Sequence, residues 1–386
     1  MQKINSTIDF IKTTFNNTGF IPLHEPFFQG NEKKYLNECI DSTFVSYLGK
    51  FVGQVEDLIC DYTKARFSIA TVSGTSALHL ALISVGVKEY DEVLTQALSF
   101  VASTNAIKYC NASPIFIDSD KENLGMCPTK LKDFLEKNTT QKDGHAINKT
   151  SQKIIKACLP VHILGHPSKI EEIVNICTDF NIPVVEDSAE SLGSLYKGKH
   201  TGTFGKVGVF SFNGNKTVTS GGGGIVVTND KKIAEYIKHI STTAKKPHKW
   251  EYFHDLVGFN YRMPNLNAAV ACAQLESLDY FLENKRDLAQ KYESFFEKIG
   301  FSFFKEKEDC KSNYWLNALI LEDRKERDLF LEELNKNSVM CRPVWTLLNK
   351  LPPFKNCQTT NLSNAQWLED RLVNIPSSVR PKMNTL

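Results

Sequence analysis

A lysine set between two apolar runs constrains this chain more than any other feature. Val207-Gly208-Val209-Phe210 reads as a buried strand and Ile225-Val226-Val227 as a second; between them lie Lys216 and the cluster Gly221-Gly222-Gly223-Gly224. An amine held there loses hydration, which favours its neutral, nucleophilic form and suits it to condense with an aldehyde. Two phosphate-binding patterns fail at this stretch. A P-loop needs glycine just before the lysine and again five residues earlier, where this chain has Asn215 and Phe210. Gly202, Gly205 and Gly208 are spaced three apart, unlike the G-x-G-x-x-G of a dinucleotide site. Taken alone, the run also fits a surface lysine in a glycine-rich hairpin, so other parts of the chain must decide.

At 386 residues the chain exceeds one ordinary core, and two units are expected, a larger one over 1–265 and a smaller one over 266–386. Lys+Arg against Asp+Glu, 46 − 44 = +2, leaves no basic excess of the kind nucleic acid or an anionic membrane requires. The ten cysteines are scattered singly, without a C-x-x-C pair, which argues against a disulfide framework or a zinc site. Lys3, Asp9 and Lys12 interrupt the apolar residues of the N-terminus, so neither a signal-peptide core nor a membrane span is expected and a cytoplasmic location is.

In order, the chain opens on what reads as a mobile start, followed by a helix over 31–40 and another ending near Tyr62. A strand at 67–72 then leads through Ser73-Gly74-Thr75-Ser76 into a helix at 77–83. That order aims unpaired N–H groups at the sheet edge, an anion site with two hydroxyls beside it, although simple N-capping by Ser73 or Thr75 is the competing reading. Strands at 92–95, 114–118, 154–161 and 182–187 alternate with helices at 100–109 and 170–180, the pattern of a mainly parallel sheet, and 138–153 reads as a polar loop or insertion. Asp187 falls at the carboxyl end of its strand, where ligands of open parallel sheets gather. Phe100 is either core or a stacking plate. His162 and His166 follow a strand, with Gly165 and Pro167 around them, and do not form a helical metal pair; no metal is expected. A long helix is predicted over 267–288, then a smaller α+β unit with a strand-like run at 314–320 and a charged helix at 324–336.

An anion-cradling turn (Gly74, Thr75, Ser76), an aromatic plate (Phe100), a strand-end acid (Asp187) and a lysine (Lys216) are the parts that pyridoxal 5′-phosphate calls for. Ser73-Gly74-Thr75-Ser76-Ala77-Leu78, Ser99-Phe100-Val101-Ala102-Ser103, Val185-Glu186-Asp187-Ser188-Ala189-Glu190, Phe210 to Lys216 with its glycines, and Gly258-Phe259-Asn260-Tyr261-Arg262 also resemble, in family order, the DegT/DnrJ sugar aminotransferases. That resemblance implies fold type I, an α/β/α large domain with a mainly parallel sheet and a smaller C-terminal α+β domain. It implies Lys216 as the cofactor's covalent tether, Asp187 as partner of the ring nitrogen, Thr75, Ser76 and Ser211 as phosphate ligands, and Phe100 as the residue stacked on the ring. Glu190 departs from the Gln or His that many members place against the cofactor's phenolic oxygen. Asn260 and Arg262 fall where the family reaches into a neighbouring subunit, which implies a homodimer with shared active sites. Residues 44–52, 211–224 and 243–250 resemble the branch serving legionaminic acid and bacillosamine sugars, which implies amination at C4 of a UDP- or GDP-linked 4-keto-6-deoxy-N-acetylhexosamine with L-glutamate as donor. Lys245, Lys246 and His248, with His162, are candidates for contacting that substrate, the first three being equally readable as a solvated basic loop. Relatives that dehydrate sugars carry histidine in place of the lysine, so Lys216 argues against that reaction. A non-catalytic sensor is disfavoured, since no DNA-binding module accompanies the fold.

Overall fold

The computed structural model describes residues 1–381. Seven strands form its main sheet: β1 (Phe67–Thr71), β2 (Glu92–Gln96), β3 (Ser113–Ile117), β4 (Ile155–Leu159), β5 (Val185–Asp187), β6 (Val207–Ser211) and β7 (Gly224–Thr228). A three-stranded ladder, β3-β2-β4, and a four-stranded one, β5-β6-β7-β1, are joined by parallel bridges Cys158 to Val184 and Val161 to Asp187. β7 runs antiparallel to both of its neighbours, while the pairs β2-β3, β2-β4 and β5-β6 are parallel. Helices cover both faces, which is why these strands read as unbroken apolar runs. Val93, Val185, Val207, Val209 and Val226 face the buried helix Gly74–Ser84 and the helices Ala102–Tyr109 and Lys231–Ser241. On the other face, Phe210, Ile225 and Val227 meet Lys50–Thr63 and Asn265–Glu276, and Leu94, Ile115 and Cys158 meet Pro128–Asn138 and Ile170–Asp179.

The glycines spaced three apart have a structural use. Gly202, Phe204 and Gly205 donate their N–H groups to the buried Glu186 carboxylate at 2.8, 2.7 and 2.6 Å. The turn lies so close on β6 that a Cβ at Gly208 would stand 2.0 Å from the Gly202 carbonyl oxygen.

Three stretches differ from expectation. Residues Gln2–Thr14 form an ordered helix, not a mobile start, with Ile4, Ile8 and Ile11 buried against Leu288, Tyr292, Phe296 and Phe330. The polar 138–153 segment is a hairpin, Thr139–Lys142 paired with His145–Asn148. The predicted long helix is two, Asn265–Glu276 and Leu278–Ile299, broken at Ser277. Helical periodicity runs through that break, so pattern alone did not reveal it. The C-terminal part builds an antiparallel sheet from Ser302–Phe303, Asn317–Ile320, Leu372–Ile375 and Arg342–Pro343.

Candidate active site

The carboxyl ends of β1, β5 and β6 and the amino end of the antiparallel β7 open on one side of the sheet, and a cavity of about 350 Å³ lies there. Gly74, Thr75, Phe100, Asp187, Glu190, Ser211 and Lys216 all line it. Two close approaches shape the anion cradle. A Cβ on Gly74 would come within 2.9 Å of Ser211 Cβ, and one on Gly224 within 2.5 Å of the Gly74 nitrogen, so the helix mouth, β7 and the Ser211 hydroxyl converge. Ser73 caps the helix by accepting from Ser76 N–H at 3.1 Å, and its carbonyl accepts from Ala77. The first helical N–H groups, at Gly74 and Thr75, therefore face the cavity with the dipole's positive end. The Ser76 hydroxyl is spent on Ser73 Oγ at 2.9 Å and is not part of the cavity wall, so the capping reading holds for Ser73 and not for Thr75, and the cavity hydroxyls come from Ser73, Thr75 and Ser211.

Asp187 is buried at the end of β5, where its Oδ2 accepts from Ser103 Oγ at 2.6 Å and its Oδ1 from Ala189 N–H at 3.2 Å. Burial raises its pKa, against the pull of those two donors. Lys216 follows β6 on a turn closed by its own N–H to the Asn213 carbonyl at 3.0 Å. Its Nζ lies 3.6 Å from Glu190 Oε1 and 3.8 Å from the centre of the Trp315 ring. Desolvation lowers the lysine's pKa, opposed by the charges of Glu190 and Asp187, the direction an amine nucleophile needs. Burial pushes Glu190 up to about 7, although Lys216 and the Leu164 N–H, 2.8 Å from Oε2, favour its charged form. Phe100 is half exposed at the cavity edge, with Trp345 at 6.4 Å between ring centres, so it is not core.

Other expected residues lie elsewhere. His162 is wholly buried one layer behind: its Nδ1 accepts from Ser168 N–H at 3.1 Å, so Nε2 carries the proton and donates to Glu186 at 3.1 Å. It is structural, not a substrate contact. Arg262 is buried in an ion pair with Glu56 at 2.7 Å and donates to the Ala70 carbonyl, outside its own chain's cavity. Asn260 is exposed, also outside that cavity. Lys245, Lys246 and His248 sit on an exposed loop with local partners: the Tyr252 ring at 3.9 Å, Asp255 at 2.9 Å and Glu251 at 3.9 Å. Conversely, Trp315, Trp345, Asn213, Asn215 and Ser103 line the cavity without having been singled out. Ser103 was visible as a hydroxyl one turn beyond Phe100. Trp315 comes from the smaller C-terminal unit, and no local spacing announces it.

The donor set fits pyridoxal 5′-phosphate: N–H groups and hydroxyls for a phosphate, a buried carboxylate for a ring nitrogen, and a desolvated amine for an aldehyde. Such a cavity defines a class of enzymes that form a C=N bond between a lysine and a B6 coenzyme. Within that class, the chain belongs to the DegT/DnrJ/EryC1/StrS aminotransferase family, whose model matches residues 27–385. It is a sugar aminotransferase, and its cofactor is pyridoxal 5′-phosphate. Over 358 residues it is 38% identical to GDP-perosamine synthase of Escherichia coli O157:H7, covering 93% of each chain, and over 360 residues 36% identical to GDP-perosamine synthase of Vibrio cholerae, covering 92% of this chain and 94% of that one. Among solved structures, PseC of Helicobacter pylori superposes with a TM-score of 0.83 at 23% identity, over 92% of this chain and 93% of that one. Spr1654 of Streptococcus pneumoniae in its PLP form gives 0.83 at 22% identity, over 95% of each.

Proposed function

We propose that this aminotransferase moves the amino group of L-glutamate to C4 of a nucleotide-linked 4-keto-6-deoxy-N-acetylhexosamine, in the cytoplasm, for surface sugars of the legionaminic acid or bacillosamine type. The observation that carries the reading is the meeting of Lys216, Asp187 and the Gly74–Thr75 helix mouth, from three different strand ends, at one cavity. Bound there, the cofactor supplies an aldehyde carbon and an electron-withdrawing ring. Lys216 Nζ holds it and, once freed, moves a proton at the reacting carbon. Asp187 would pair with the ring nitrogen and keep its positive charge, Ser211 with the Gly74 and Thr75 N–H groups would hold the phosphate, and Phe100 would be the aromatic partner of the ring. Trp315 covers Lys216 and keeps water from it. Donor and acceptor take turns in one cavity, so ping-pong kinetics are expected.

A GDP-linked substrate with a different sugar is the second reading, supported by the relatives named GDP-perosamine synthase. To separate the two, the pyridoxamine form of the enzyme is mixed with UDP- and GDP-linked 4-keto-6-deoxy sugars, with and without the N-acetyl group. Return of the aldehyde absorbance identifies the substrate, and silence with every sugar sinks the proposal. A homodimer is part of the reading: Trp250 and Val257 are 74% and 89% exposed on the loop beside Asn260, apolar surface that a second subunit would cover. Light scattering at micromolar concentration tests it, a monomer being the contrary result.

A further inference from the structure

Among the described residues, Glu190 is the one carboxylate within ion-pair distance of Lys216. It is held in place on both sides. Its Oε2 accepts from the Leu164 N–H at 2.8 Å, and its backbone carbonyl accepts from Asn313 Nδ2 at 2.9 Å. Leu164 adopts a left-handed φ of 57°, unfavourable for leucine, within the turn that aims that N–H. Oε1 is thereby left toward Lys216. The other groups around the pair are poor bases for it. Asp187 has both oxygens engaged by Ser103 and Ala189, Trp315 presents a ring face, and His24, which makes no hydrogen bond to Lys216, is held well below its ordinary pKa by burial and by the charges of Lys285 and Lys216.

Buried side by side, an ammonium and a carboxylate neutralise each other. This balance ends when Lys216 bonds to an aldehyde carbon, because the lysine nitrogen then gives up its hydrogens and the carboxylate is left buried without a counter-charge. We propose that Glu190 is the proton store of this site: its carboxylate takes the proton that the Lys216 ammonium gives up on bonding to an aldehyde, and keeps it beside the same nitrogen until the lysine is released. The step balances. Of the three ammonium hydrogens, two leave with the aldehyde oxygen as water and the third passes to Glu190, with zero net charge before and after. The inference rests on the reading that the site takes an aldehyde cofactor, and it gives the carboxyl at this position a use of its own.

Infrared difference spectra of the full-length chain, taken before and after adding pyridoxal 5′-phosphate at about pH 8, where the unloaded carboxyl is ionised, supply the test. The expected result is a new carboxylic-acid C=O band in the wild type that is lost in Glu190→Gln. Glutamine still offers an oxygen to the Leu164 N–H, so the turn is kept. Glu190→Asp is the second variant, expected to shift the band, and it carries the test should the glutamine variant not fold. A loaded, coloured wild type without the band, or a band unchanged in both variants, overturns the proton store and leaves the aminotransferase reading standing. A chain that takes up no cofactor overturns both.

Discussion

Lys285 is the residue whose sequence and structure disagree most. Between Asn284 and Arg286 it reads as a solvated helix position, yet it is fully buried and donates to the carbonyls of Tyr314, Trp315 and Ser377 at 3.5, 3.2 and 2.5 Å. Burial pulls its pKa down to about 7, and the three carbonyls offer one acceptor for each N–H of an ammonium. Through Trp315 it fixes the ring that lies over Lys216. Lys285→Met should strand those carbonyls and cost about 3 kcal/mol, read as a lowered urea midpoint. Glu190 gives the second prediction at this scale. Its carboxyl is raised from an ordinary 4.5 to about 7, so the folded chain binds that proton more tightly than the unfolded one. The group's contribution to stability is therefore complete below about pH 4.5 and is lost as pH rises through about 7, a change of up to about 3 kcal/mol. In the cofactor-free chain Glu190→Gln should flatten this decline, so that its melting temperature exceeds the wild type's at pH 8 more than at pH 5. A constant difference between the two chains would contradict the assignment.

Among elements, the antiparallel strand β7 decides how tight the cradle is. It is inserted between β6 and β1, and its first residue, Gly224, touches the Ser73–Gly74 backbone at the helix mouth. The glycine run after Lys216 was visible, but its purpose was not, because the atoms it must clear come from residues about 150 positions earlier. Gly224→Ala places a methyl 2.5 Å from backbone that cannot swing aside, so the helix mouth must move. Cofactor affinity should fall at least tenfold, about 1.4 kcal/mol, in a spectroscopic titration, while the chain stays folded by circular dichroism. Strand and helix identities in this half were legible because apolar runs of four to six residues between turn signals admit few alternatives. The split at Ser277 was not, since both halves share a helical period and only packing distinguishes them: Ala268, Ala269 and Cys272 face the main sheet's helices, whereas Leu288, Tyr292 and Phe296 face the C-terminal sheet.

At the scale of the whole molecule, the N-terminal helix closes the C-terminal core. Ile4, Ile8 and Ile11 recur at helical spacing and are buried there, far along the chain from Leu319, Phe330 and Val373, with which they cluster. We propose that the division falls at Ser277 and that residues 2–14 belong with the second unit, where the expectation was a boundary at 265. Ile8→Ala should destabilise that unit by 2–5 kcal/mol, seen as earlier proteolysis of the C-terminal part, with cofactor absorbance less affected. What the sequence determined by itself was the chemistry on offer: a lysine between apolar strands, a small-residue turn at a helix start and an acid at a strand end are local patterns, set by residues a few positions apart. What only the tertiary structure decided was which groups share the cavity. Trp315 over Lys216, Glu190 beside it, Arg262 drawn away to Glu56 and His162 to Glu186 are all contacts between distant segments, and they depend on the sheet's strand order and on burial, which no short-range spacing encodes.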